Sequence, residues 1–301
     1  LRPSSPGSTT HPDLRELVRE ATWALAHAGI DSAANDARLI AAHLLGIGPL
    51  QLTFAEATEG FESEFAAAIA RRAAREPLQH ITGIAQFGPH ELAVGSGVFI
   101  PRPETEVLAE WGASLLDDGR VSAPTVIDFG TGSGALAIYI AARHPNARVI
   151  AVEASPVARG YAERNAGTNG ASISIVPGDM TDRELLCELD GQVDLIVANP
   201  PYVPETGELD PEVYRDPHEA VFSGADGMDA IRGLVPVAAR LLKPGGQIGI
   251  EHDDTTSQAV LDVVGASGQF TDARRLLDLT GRARFVTASK LPLCPPPPTT
   301  A

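Results

Sequence analysis

After Pro124 the chain alternates five short apolar runs with helical stretches, and few folds accept that rhythm. The runs are Val126 to Phe129, Arg148 to Val152, Ser172 to Val176, Val193 to Ala198 and Gln247 to Ile250. Strands that are apolar at nearly every position are buried on both faces, and a mostly parallel sheet covered by helices on each side buries them so. The expected class is α/β. Ligands of such sheets bind beyond the carboxyl ends of the strands, so chemistry is sought where each run stops.

The first run ends in Asp128-Phe129-Gly130-Thr131-Gly132-Ser133-Gly134, ahead of a helical stretch from Ala135 to Ala142. Glycines let a backbone turn tightly and come close to a ligand, and the N–H groups opening the next helix favour an electron-rich group. The second run ends in Glu153, about 20 residues on, where a carboxylate accepts hydrogen bonds from a ribose. A nucleoside-containing cofactor follows, and at this point NAD and S-adenosylmethionine both fit. Ser133 belongs to the glycine loop and not to a nucleophile elbow, which sets hydrolase chemistry aside.

The fourth run passes directly into Asn199-Pro200-Pro201-Tyr202. Two prolines end the hydrogen-bond ladder and fix φ, so the loop is rigid. Its Asn199 side-chain oxygen and Pro200 carbonyl are two acceptors able to grip both N–H bonds of a planar NH₂ group. An amide or aromatic amine is a poor nucleophile because its lone pair is delocalised. Acceptors that aim it at a methyl donor and stabilise the developing positive charge suit its methylation. Tyr202 offers a flat face to such a group. An adenine amino group and a glutamine amide satisfy this logic equally.

The balance of 23 basic against 39 acidic residues, a net charge of −16, opposes a nucleic-acid binder that neutralises phosphates, and no direct nucleic-acid contact is expected. No apolar run approaches the roughly 20 residues of a membrane span, and the opening residues lack the order of a signal peptide. With two cysteines, Cys187 and Cys294, the expectation is a cytoplasmic protein without disulfides or a metal site. Glu251-His252-Asp253-Asp254 superficially suggests a metal cluster; the expectation is a solvated acidic loop.

Ahead of the alternating region, apolar residues recur at three- and four-residue spacing. Leu14 to Ala28, a stretch from about Ser32 to Leu45, and Phe61 to Ala73 read as helices of a small bundle over 13–80, for which substrate recognition is the expected use. Residues 81–102 read as a hairpin-like linker, and a helix from about Pro103 to Leu116 opens the larger domain, 103–290. The Ser/Pro-rich ends, 1–12 and 291–301, read as disordered.

Several stretches together resemble one family, the HemK-type protein-glutamine N5-methyltransferases that modify peptide chain release factors. They are Arg75 to Gly83, Phe99 to Glu106 (Phe-Ile-Pro-Arg-Pro-Glu-Thr-Glu), the glycine loop, Ala198 to Tyr202 and Ser223 to Gly227, in the family's order. The resemblance implies a class I (Rossmann-like) methyltransferase with a seven-stranded, mostly parallel sheet behind a small N-terminal helical bundle. It implies S-adenosylmethionine as cofactor, S-adenosylhomocysteine as product, and the Gly-Gly-Gln glutamine of class 1 release factors as substrate. By motif position Gly130, Thr131, Gly132, Ser133, Gly134 and Glu153 hold the cofactor, with Asp179 and Met180 near the adenine. Asn199, Pro200, Pro201 and Tyr202 bind the glutamine amide; Asn199, Pro200 and Tyr202 take the catalytic role, and Asn199 also touches the cofactor. Met180 stands where relatives often carry an aromatic, and Glu153 where many carry aspartate. An adenine-N6 methyltransferase is the alternative, and it requires a basic face.

Overall fold

The computed structural model describes residues 13–117, 119, 121–205 and 211–292, so the expected disordered segment 1–12, and all of the expected disordered tail 291–301 but its first two residues, lie outside the described residues. The described residues divide into two compact units, one ending at Gly83 and the other beginning at Ile84.

The first unit contains helices α1 (Leu14–His27), α2 (Ala33–Leu44), α3 (Phe61–Ala73) and the short α4 (Leu78–Thr82). Asp13 caps α1 by accepting from Arg15 N, and Gly29 follows it at φ +75°, where a side chain is strained. The helices enclose Leu25, Ile40, Phe61 and Phe65, all buried as the periodicity predicts. Inside this bundle Arg72 Nε donates to Asp36 Oδ2 at 2.7 Å, pairing two buried charges.

The second unit opens with the antiparallel hairpin β1 (Ile84–Phe87) and β2 (His90–Ala93), followed by α5 (Thr105–Ser114). Then come β3 (Thr125–Phe129), α6 (Ala135–Arg143), β4 (Arg148–Glu153), α7 (Pro156–Asn169), β5 (Ile173–Pro177) and β6 (Val193–Ala198). The chain continues through α8 (His218–Val221), α9 (Asp229–Leu241), β7 (Leu242–Glu251), α10 (Ser257–Ala266), β8 (Phe270–Leu277) and β9 (Ala283–Lys290). Seven strands form one sheet in the order β5-β4-β3-β6-β7-β9-β8, with β3 to β7 parallel and β9 antiparallel to both neighbours. This is the class I methyltransferase arrangement, and β8 and β9 are strands that the apolar pattern alone does not reveal.

Two features of the sheet position the site. The strand order reverses between β3 and β6, which opens a crevice at their carboxyl ends. Register then aligns those ends: Phe129 lies beside Val152 on one side and Ala198 on the other, and Ala198 lies beside Ile250. The segments beginning at Gly130, Glu153, Asn199 and Glu251 therefore leave the sheet along one edge.

Helix α5 covers β6 and β7 at unusually close range because both surfaces yield a side chain. A Cβ on Gly112 would stand 3.2 Å from Val197 Cγ1, and one on Gly249 only 2.4 Å from the Trp111 ring and 2.6 Å from Leu108 Cδ1. Leu108 is fully buried in that contact. Packing this dense tolerates no added methyl, so Gly249→Ala is expected to cost about 1–3 kcal/mol. Gly265→Ala is the control: a Cβ there meets nothing within 4 Å, and in a helix the change is expected to be neutral or stabilising by up to about 1 kcal/mol. Thermal unfolding of the two variants checks the contrast, and equal melting temperatures would refute the packing argument.

Candidate active site

A cleft of about 780 Å³ lies along the carboxyl edge of the sheet, within the range of small-molecule sites. Of the twelve residues singled out above, all but Gly134 line it. Gly134 sits behind, at φ +89° ahead of α6, where a Cβ would press on Ile138 and Ala162.

The glycine loop is shaped from both sides. Gly130 N and Thr131 N donate to Val152 O at 2.9 and 3.0 Å, pinning the loop to β4. Gly130 adopts φ +68°, and a Cβ there would meet Met180 Cε at 2.7 Å, so the methionine lies directly on the bare backbone. Glu153 accepts from Gly132 N at 2.9 Å through Oε2 and from Ser155 N at 2.8 Å through Oε1. Each oxygen keeps a further lone pair for a ligand hydroxyl. Asp179 Oδ1 accepts from Thr181 N and Oγ1, both at 2.8 Å, which leaves its outer oxygen toward solvent.

Three contributors were not assigned from sequence. Asn165, buried on α7, ties the loop to the hairpin: its Nδ2 donates to Ser133 O at 2.9 Å and its Oδ1 accepts from Ala93 N at 2.7 Å. Asp128 lines the cleft beneath the loop, and its Oδ2 accepts from Thr131 Oγ1 at 2.5 Å and Ala137 N at 3.1 Å. Its Oδ1 is buried with no hydrogen-bond partner among the described residues. Burial pushes the Asp128 carboxyl up to about 7, against the opposite pull of Thr131 and Ala137. The third is Thr105, the buried first residue of α5, whose Oγ1 accepts from Asn199 Nδ2 at 3.3 Å.

The segment after β6 is braced along its length. Val203 N donates to Val221 O and Ser223 N to Val203 O, each at 2.9 Å. Gly227, at φ +75°, has no room for a side chain because the Tyr202 carbonyl occupies that space. The Ser223 to Gly227 stretch thus backs the Asn199 loop. Tyr202 reaches inward, its hydroxyl donating to Glu251 Oε1 at 3.3 Å.

That contact corrects one expectation. Glu251 and His252 do not form a solvated loop; both are buried, and only from Asp253 onward does the chain emerge. The acidic letters misled because β9 covers Glu251 through Phe285 and α5 closes over the same strand. Burial pushes the Glu251 carboxyl up to about 7, with the hydroxyls of Thr105 and Tyr202 drawing it back. Among the described residues no three His, Cys, Asp or Glu side chains converge as a metal site.

The segment before α5 also takes definite places. Arg102 lines the cleft, held by buried Asp216 at 2.5 Å and lying over the Phe99 ring at 4.9 Å. Glu106 faces away and accepts from Gly88 N at 2.9 Å, anchoring the hairpin turn.

A glycine cradle open to the cleft, an acidic residue on each side of it and an unpartnered buried carboxylate oxygen fit a nucleoside cofactor bearing a cationic group. Asp128 also makes a prediction for stability. Its raised pKa means that the folded chain holds a proton the unfolded chain releases near 3.8, so the contribution is present at low pH and is lost as pH rises through about 7. Asp128→Asn keeps an acceptor for Thr131 and Ala137 but cannot ionise. Its melting temperature should fall less between pH 5 and pH 8 than that of the parent; Glu251 supplies a remaining slope. Identical slopes would show that Asp128 does not carry the proton.

Comparison with known proteins agrees with this geometry. Residues 16–83 match a family model described as the PrmC N-terminal domain, and residues 111–215 one described as the methyltransferase small domain. A release factor glutamine methyltransferase of Corynebacterium glutamicum is 55% identical over 278 residues, 92% of this chain and 99% of that one. Proteins of the same description from Mycolicibacterium smegmatis and Mycobacterium tuberculosis are 50% and 46% identical, each over 92% of this chain and over 98% and 91% of their own.

Proposed function

The chain belongs to the release factor glutamine methyltransferase family, and from that premise we propose that Asn199, Pro200, Pro201 and Tyr202 hold the substrate glutamine for methylation. The enzyme transfers a methyl group from S-adenosylmethionine to the side-chain amide nitrogen of a glutamine, releasing S-adenosylhomocysteine. The substrate is the Gly-Gly-Gln loop of class 1 peptide chain release factors, and the reaction takes place in the cytoplasm. The helical segment 13–80 is assigned to substrate recognition, and 103–290 to cofactor binding and catalysis.

One observation carries the site assignment: Asn199 Nδ2 donates to the Thr105 hydroxyl at 3.3 Å, an orientation in which Oδ1 is the atom left to accept from a ligand. Bound cofactor supplies a methyl group on a positively charged sulfur. Gly130, Thr131, Gly132, Ser133 and Gly134 would form its cradle, Glu153 would take the ribose hydroxyls, Asp179 and Met180 would flank the adenine, and Asn199 would border both ligands. Asn199 Oδ1 and the Pro200 carbonyl accept the two N–H bonds of the glutamine amide and turn its nitrogen toward the methyl. As the nitrogen takes on positive charge those hydrogen bonds strengthen, so the two oxygens stabilise the transition state more than the ground state. Pro200 and Pro201 hold the geometry without reorganisation, and the Tyr202 ring closes one face of the amide.

The charge of the cleft favours a protein substrate over nucleic acid. Among the described lining residues Arg102 is the one basic side chain, against Asp128, Glu153, Asp179, Asp216, Glu219 and Asp229. Such a surface attracts a cationic cofactor and repels a phosphodiester backbone. Among the described residues no helix is long and apolar enough to cross a membrane.

Purified protein with labelled S-adenosylmethionine is expected to label a class 1 release factor, and replacing the Gly-Gly-Gln glutamine by alanine should abolish labelling. Asn199→Ala should lower turnover by about 100-fold or more while cofactor affinity changes little. Persistent labelling of the altered release factor, or labelling of DNA instead, would overturn the substrate; equal losses in turnover and cofactor affinity would overturn the role of Asn199.

A further inference from the structure

An asparagine amide is nearly symmetric in shape but not in chemistry: one end accepts hydrogen bonds and the other donates. If Asn199 turned over, it would present N–H bonds to the N–H bonds of the substrate, and the loop would repel what it is built to hold. Something must fix which end faces the cleft. The neighbour of Asn199 is the Thr105 hydroxyl, and a hydroxyl alone does not decide, because it accepts from Nδ2 in one orientation and donates to Oδ1 in the other.

The decision lies one residue further in. Thr105 Oγ1 accepts from Asn199 Nδ2, so its own proton needs another acceptor. The acid that its hydroxyl acts on is Glu251, whose carboxyl it draws down. Glu251 Oε1 already accepts from Tyr202, and the buried Oε2, without a hydrogen-bond partner among the described residues, is the acceptor left for that proton. An ionised carboxylate only accepts. Facing Glu251, it compels Thr105 to point its proton inward, so the hydroxyl can only accept from Asn199. We propose that Glu251, acting through Thr105, is a positioning residue that locks the Asn199 amide with Oδ1 toward the substrate. The inference rests on the reading of Asn199 as the glutamine-amide acceptor.

Protonated Glu251 loses this control. It becomes a donor itself, Thr105 is free to donate to Asn199 Oδ1, and the flipped amide becomes accessible. The groups facing Glu251 are Tyr202 from the loop after β6, Thr105 and Glu104 from the start of α5, and Arg284 from β9. Burial outweighs the pull of Arg284 and the two hydroxyls, and the carboxyl sits at about 7. Turnover should therefore fall as pH drops through about 7, while binding of S-adenosylhomocysteine, which does not use the amide orientation, should not follow it.

The test measures kcat, KM for the release factor and S-adenosylhomocysteine affinity across pH 5.5–9 for the full-length parent, Thr105→Val, Thr105→Ser and Glu251→Gln, where about 10- to 100-fold losses are the scale expected of a misplaced hydrogen-bonding group. Thr105→Val and Glu251→Gln should lose about that much in kcat, with smaller changes in KM, and should flatten the acidic limb. Thr105→Ser should retain both activity and limb, which a merely space-filling role for Thr105 would not require. Thr105→Val within twofold of the parent, a flat parent profile, or a limb surviving in both Thr105→Val and Glu251→Gln overturns the proposal; in the last case the limb belongs to Asp128. Loss of S-adenosylhomocysteine binding in Thr105→Val and Thr105→Ser alike also overturns it, since Thr105 then supports the cofactor cradle. Failure of the parent itself to label the release-factor glutamine overturns the reading of the site and the relay together.

Discussion

The depth at which α5 rests on the sheet determines where Thr105 stands, and two glycines set that depth. Gly112 on the helix admits Val197 of β6, and Gly249 on β7 admits Trp111 and Leu108 of the helix. A side chain at either position would lift the helix away from the strands. Thr105 would then leave Asn199, and the Glu251 carboxylate would lose its cover. A packing constraint with no polar content thus holds a polar site in place.

The same depth explains two buried acids that a stability argument alone would remove. Asp128 and Glu251 are both nearly inaccessible, and each has one carboxylate oxygen with no hydrogen-bond partner placed on it among the described residues. Burying such a group is unfavourable unless charge or hydrogen bonds compensate it, and here the compensation from the chain is incomplete. Unpaired oxygens of this type lie at the two ends of the site, one below the glycine loop and one behind the amide clamp. The fold tolerates them because the surrounding sheet is rigid and apolar: Phe129, Ile127, Ile250 and Phe285 are all buried around them. Local destabilisation at a functional edge is thereby offset in the core.

The parts of this arrangement that were legible from sequence are those written in local pattern. The parallel strands are continuous apolar runs, the loops at their ends carry glycine or proline where backbone geometry demands it, and the first three helices show their apolar face by spacing. β8 and β9 escaped because their pattern is neither continuous nor alternating. Arg274 and Arg275 lie exposed on an edge strand, and the register slips between Thr271 and Arg274. Thr105 was quoted within a motif but read as part of a helix start, where a threonine has an ordinary capping use. Glu251 and His252 were misread for the opposite reason: charged letters after a strand normally mark solvent, and only the tertiary cover of α5 and β9 reverses that. Asn165 has no local signal at all, since a polar residue within a helix says nothing of a backbone carbonyl 32 positions away.

The choice of asparagine over aspartate at position 199 follows from the same physics. A carboxylate there would accept from an amide N–H in either orientation and would need no partner to hold it. It would also stand beside a positively charged sulfur and attract it before any reaction began. That attraction stabilises the bound ground state, and it weakens as the methyl leaves and the sulfur becomes neutral, so it raises the barrier. A neutral amide oxygen avoids the ground-state ion pair and still responds to charge growing on the substrate nitrogen. Neutrality, however, brings the donor end with it. A loop whose backbone is fixed by Pro200 and Pro201 therefore still has one soft degree of freedom, the rotation of the Asn199 amide, and the acid that settles it is held behind the loop, out of the cleft and away from the cationic cofactor.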